Sequence, residues 1–128
     1  MKRWMAAIAV LAGAGALQAK EVVTPSGLSV EFLDRIVETQ AGGETWLTLR
    51  YVTPRIGDDE GELGYDQVAD DIDALCNIEG VKAATETGEV DQLMIALMDR
   101  AVQRGVHDPE ATMFIGAYLL TEGGCVWQ

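Results

Sequence analysis

Leu93-Met94-Ile95-Ala96-Leu97-Met98, with Asp99-Arg100 directly behind it, is the longest unbroken apolar run outside the N-terminal segment. The element it forms decides the fold. Six consecutive apolar residues have to be buried on both faces. Val90, Leu93, Met94, Leu97, Met98 and Ala101 fall at helical spacing, and Leu, Met and Ala favour helices. Ile95 and Ala96 would then lie on the opposite side, leaving that helix without a polar face. A short apolar run bounded by Gly88 on one side and by charge and Gly105 on the other also suits a central strand. Periodicity leaves both open.

The 128 residues give room for one domain and one core. Residues 1–19 read as a secretory signal: Lys2 and Arg3 precede an apolar stretch, Trp4–Leu17, and small residues follow. Cleavage fits after Ala19, or after Ala16. The stretch is shorter than the roughly 20 residues of a membrane span, and no Cys follows it to accept a lipid. A periplasmic or secreted protein is expected, with residues 20–128 as its single domain.

Removing residues 1–19 takes away two bases and no acids, so the net charge moves from −12 to −14. Nucleic acid is excluded as a partner, because binding it rests on Lys and Arg neutralising phosphates. A membrane surface after signal removal is disfavoured on the same ground. The acidity itself reads as solubility. The two cysteines, Cys76 and Cys125, meet an oxidising compartment after export, where one disulfide is the default. Two free thiols or an intermolecular bridge are the alternatives.

Glu21–Val23 is short and apolar, and Thr24–Gly27 is a turn. Leu28–Thr39 is rich in β-formers, and Ala41-Gly42-Gly43 turns the chain into Glu44–Thr53. There Leu47, Leu49 and Tyr51 share one face while Trp46, Thr48 and Arg50 take the other, which predicts a β-hairpin ending at Pro54. Asp58-Asp59-Glu60 and Glu62 form an acidic loop whose spacing fails the calcium-loop pattern at both ends. Tyr65, Val68, Ala69, Ile72, Leu75 and Cys76 make a helical stripe facing the sheet. Gly80 is expected to end that helix, with a further turn towards Thr87 as the alternative. Thr112–Leu120 is a second strand candidate with a bulge or close approach at Gly116, and Cys125–Trp127 is a short last strand.

Gly43–Pro54, the helix with Leu75-Cys76, and Leu97–Trp127 together resemble a family of small, uncharacterised secreted bacterial proteins, a domain of unknown function. The most specific parts are Asp99-Arg100, Gly105, the Asp108-Pro109-Glu110-Ala111-Thr112 run and the closing Cys-x-Trp. The family's segment before Asp-Arg is richer in β-branched residues, which implies a strand at Leu93–Met98. It also implies that Cys76 pairs with Cys125, and it carries an acidic residue where this chain has Gly116. It supplies no catalytic residues.

The expected fold is therefore α+β: an antiparallel sheet, one amphipathic helix packed on one face, and a helix-to-strand disulfide. Standard chemistries find few parts. Ser26 and Ser29 are the only serines beyond the signal and lie in no nucleophile elbow. One His and two paired Cys make no zinc set, and no phosphate loop or dinucleotide fingerprint is present, so no metal or cofactor is expected. Asp99, Arg100, His107, Asp108 and Glu110 form the one polar cluster suited to carboxylate chemistry, a small hydrolase or lyase. The simpler reading is that Asp99 and Arg100 satisfy a strand end while Asp108 shapes a turn. The favoured function is a binding or accessory module for a protein or small ligand, with Trp46 and Arg50, expected to be exposed, as contact residues.

Overall fold

The computed structural model describes residues 20–57 and 63–128. Residues 1–19, read above as a secretory signal, and the acids Asp58, Asp59, Glu60 and Glu62 lie outside them. Among the described residues one sheet runs in the order β1-β2-β3-β4-β5-β6. Its strands are β1 (Lys20–Val23), β2 (Ser29–Thr39), β3 (Thr45–Val52), β4 (Gln92–Met98), β5 (Met113–Thr121) and β6 (Gly124–Trp127). A helical segment of 23 residues joins β3 to β4. It consists of α1 (Tyr65–Leu75), a π-helical turn at Cys76–Gly80, and α2 (Val81–Thr87).

Leu93–Met98 is thus a central strand, hydrogen-bonded to β3 on one side and β5 on the other. The predicted hairpin is also present, with Leu49 opposite Arg35 and Leu47 opposite Val37. The sheet is not wholly antiparallel, however. β4 runs parallel to β3, Tyr51 beside Leu97, and the remaining pairs are antiparallel. The helical crossover explains the correction. A parallel neighbour needs a connection long enough to carry the chain back to its starting end, and residues 65–87 supply it.

The helix start is fixed locally. The Gln67 side chain accepts a 2.6 Å hydrogen bond from the Gly64 amide, occupying a donor that the first turn leaves free. Gly80 does not end the helix. Its φ of −69° is right-handed helical, and its reason for being glycine is contact: a Cβ there would stand 2.5 Å from Leu93 Cδ2. The chain stops instead after Thr87, where Gly88 adopts a φ of +116° that favours glycine.

Leu47, Leu49, Tyr51, Leu93, Ile95, Leu97 and Tyr118 project to the same side of the sheet and form the core with Val68, Ile72, Leu75 and Ala83 of the helical segment. Gly116 is a close approach: a Cβ would meet Tyr118 Oη at 2.7 Å and Ile72 Cγ2 at 2.8 Å. Cys76 and Cys125 are bonded, with Cα atoms 6.3 Å apart, tying the helical segment to β6. The Asn77 side chain reinforces this join by accepting a 3.0 Å hydrogen bond from the Cys125 amide.

Candidate functional site

The polar cluster behind β4 is partly assembled. Asp99 Oδ1 accepts the Thr112 amide at 2.9 Å, and its Oδ2 accepts the Arg100 guanidinium at 3.0 Å. Arg100 also lies 3.9 Å from the exposed Glu110 carboxylate. Burial alone would raise the Asp99 carboxyl, but Arg100 and the Thr112 amide outweigh it and hold it below the usual carboxylate range. Asp108 accepts the Glu110 amide at 3.0 Å and so shapes the Asp-Pro turn. His107 is exposed and makes no hydrogen bond or ion pair among the described residues. The group fastens the end of β4 to the start of β5, and no imidazole joins its carboxylates.

Arg50 is not exposed as its outward parity predicted; it is only 7% accessible. Its Nε and Nη2 donate to the two Asp34 oxygens at 2.7 and 2.6 Å, and Nη1 donates to the Val102 carbonyl at 2.8 Å. The Asp34 carboxylate raises the guanidinium's pKa further, so the charge is permanent. The chain after β4 folds back over this side of the sheet, Val102 is buried, and Arg50 is the clamp beneath it. Trp46 is half-buried and its indole N–H donates to neighbouring Glu44. These two residues form no common open surface.

A different site lies between β2, β3 and α2. It is a half-open pocket of about 160 Å³ above Phe32 of β2, Leu49 and Tyr51 of β3 and Ala83 of α2. Glu79, Lys82, Ala83 and Glu86 follow i, i+3, i+4, i+7 spacing, so one stripe of the helical segment faces it. Lys20 and Arg35 complete the rim. Lys20 pairs with Glu79 at 3.3 Å and Arg35 with Glu86 at 2.9 Å. Lys82 has no ion pair among the described residues.

Tyr51 stands out beneath this pocket. Its side chain is fully buried, and its hydroxyl is the buried side-chain polar atom left without a hydrogen-bond partner among the described residues. An orphaned buried hydroxyl costs about 1–3 kcal/mol, so native proteins satisfy most of them. The same fold does so elsewhere: the buried Tyr118 donates a 2.5 Å hydrogen bond to Asp73. The Tyr51 ring is held edge-on by Phe32, with centroids 5.6 Å apart. Burial, with a lesser contribution from Glu79 opposed by Arg35, pushes its pKa well above the usual phenol range. The group is therefore a fixed donor, with no capacity as a base at ordinary pH. Sequence reasoning placed Tyr51 on the inward face but missed its significance. The available signal was a hydroxyl in the apolar row Leu47, Leu49, Tyr51, since a buried tyrosine needs a partner for its O–H.

Among the described residues no three His, Cys, Asp or Glu side chains converge to hold a metal ion. No curated protein and no solved structure matches the chain. The profile described as Family of unknown function (DUF6497) matches residues 6–128, nearly the whole length, and the chain belongs to that family.

Proposed function

We propose that this is an exported binding protein that takes a small molecule into the cavity beneath α2. On this reading residues 1–19 are removed and residues 20–128 work as one domain in the periplasm or outside the cell. The observation that carries the binding role is the half-open pocket of about 160 Å³ between β2, β3 and α2, the room for a small molecule in a face otherwise closed by core side chains. Sites for small molecules combine apolar walls with a few fixed polar groups, and Phe32, Leu49 and Ala83 beside Tyr51 have that character. Export is supported by the N-terminal charge and hydropathy pattern and by the disulfide, which persists in oxidising compartments.

Native mass spectrometry of protein released gently from the envelope fraction tests both parts. The expected species begins at Lys20 and carries a low-mass adduct at one per chain, absent from an Ala83→Leu variant that fills the cavity. A chain retaining Met1 in the soluble cytoplasm would overturn export. An adduct-free protein that no small molecule stabilises against heat would overturn the binding role.

A further inference from the structure

Strand alternation turns Leu93, Ile95, Leu97 and Tyr118 into the core, and the residues between them to the opposite side of the sheet. On that side Met94 stands beside Ala117 and Leu119 beside Val126, while Ile115 and Met113 continue the row along β5. Met113, Ile115, Leu119 and Val126 are each 42–52% accessible, with Met94 and Ala117 half-buried among them. No residue of this parity on β4, β5 or β6 is charged, in a chain of which 23% is. Three strands about 4.8 Å apart and a β5 whose residues rise about 3.4 Å each make a face of roughly 14 by 30 Å, about 430 Å². An apolar patch of that size is often an interaction surface.

We propose that this face binds the same face of a second copy of the chain, about a two-fold axis near Ala117, so that two sheets pack against each other. Charge selects the occupant. The chain carries a net charge of −12, so two copies repel wherever acids are displayed. The uncharged face of β4–β6 lets them meet without burying a carboxylate. Shape agrees with this. Ala117 is small and lies between Ile115 and Leu119 on one face of β5, which leaves a hollow flanked by two knobs. A two-fold contact uses the same patch on both copies and sets knob into hollow from each side. Area fixes the strength. Two such faces cover about 900 Å², close to the roughly 1,000 Å² at which specific pairing begins, so the dimer is weak, with a Kd of about micromolar order. None of the residues lining the pocket under α2 lies on β4, β5 or β6, so this proposal stands or falls apart from the small-molecule reading.

The experiment is sedimentation equilibrium of the purified protein at pH 7, up to about 200 µM, in about 0.02 and 0.5 M NaCl. A dimer is expected, several-fold tighter at the higher salt, because screening weakens the repulsion between acidic copies and leaves apolar contact intact. Ile115→Asp and Leu119→Asp should each weaken it by about tenfold or more. Val23→Asp adds the same charge at an exposed apolar residue of β1, four strands from β5, and should leave the dimer within about twofold of wild type. In the unaltered protein the Ile115 and Leu119 methyl resonances should shift with concentration, a readout that needs no variant to fold. A monomer at the highest concentration in both salts would overturn the proposal. A dimer that dissociates as salt rises, or that survives both β5 variants, would overturn it by placing the contact elsewhere. A monomer whose Ile115 and Leu119 methyls respond instead to phosphatidylcholine vesicles would overturn it in favour of a lipid surface.

Discussion

Replacing Tyr51 by phenylalanine should make the ligand-free protein more stable, the opposite of what truncating a core side chain ordinarily does. The hydroxyl is fully shielded and has no partner among the described residues, so folding strips it of water without return. That loss costs about 1–3 kcal/mol. Phenylalanine avoids it, keeps the ring against Phe32, and forfeits only the dispersion contacts of one oxygen, a few tenths of a kcal/mol. The net expectation is a gain of about 1–2 kcal/mol, seen as a higher denaturant midpoint with an unchanged slope, or a Tm raised by about 4 °C per kcal/mol. A variant about 1 kcal/mol or more less stable than wild type would refute the reasoning, because the hydroxyl would then have a partner in the empty protein.

Three further outcomes test the frame around the cavity. Cys76→Ser and Cys125→Ser should each cost about 2–5 kcal/mol, and the double variant little more than either alone; equilibrium unfolding distinguishes this from additive losses. Gly116→Ala should cost about 1–3 kcal/mol, because its new methyl group would stand 2.8 Å from Ile72 Cγ2 and 2.7 Å from the Tyr118 hydroxyl that holds Asp73. Asp99 has a depressed pKa, so the stability it adds is complete above the ordinary carboxylate value and lost as pH falls through its folded value. Asp99→Asn should thus be about 1 kcal/mol less stable than wild type at pH 7, with the gap closing below about pH 4; unfolding curves across that range measure it.

How much of this was legible beforehand differs from element to element, for physical reasons. Alternation alone settled the β2–β3 hairpin and the inward row Leu47, Leu49, Tyr51, because each strand has one face turned to the core. It did not settle Leu93–Met98, whose two faces are both covered. Leu93, Ile95 and Leu97 pack in the core with residues of the helical segment, and Ala96 and Met98, of the opposite parity, are buried as well. Arg50 shows the same limit. Its parity was read correctly, yet what covers it arrives from more than 50 residues away, through the Val102 carbonyl. The parallel β3–β4 pair was within reach, since a helix was recognised between the two strands and such a crossover returns the chain to the same end.

The cavity was hidden for a separate reason. Its charged stripe, Glu79, Lys82 and Glu86, becomes a single face only if the helix continues through Gly80. Glycine ordinarily signals a helix end, and here it answers the approach of Leu93 instead. The polar cluster after β4 drew attention because its residues are close in sequence. In space they serve a strand end, while Tyr51, Arg35 and Lys82 meet only through the fold.

The measurement that bears most directly on the central claim is a crystal structure of the protein released gently from its native envelope fraction, at a resolution that shows ordered water. A small molecule should occupy the pocket between β2, β3 and α2, against Phe32 and Arg35 of β2 and the Lys82–Glu86 stripe. A pocket holding only water, with no molecule seated against those residues, would contradict the account.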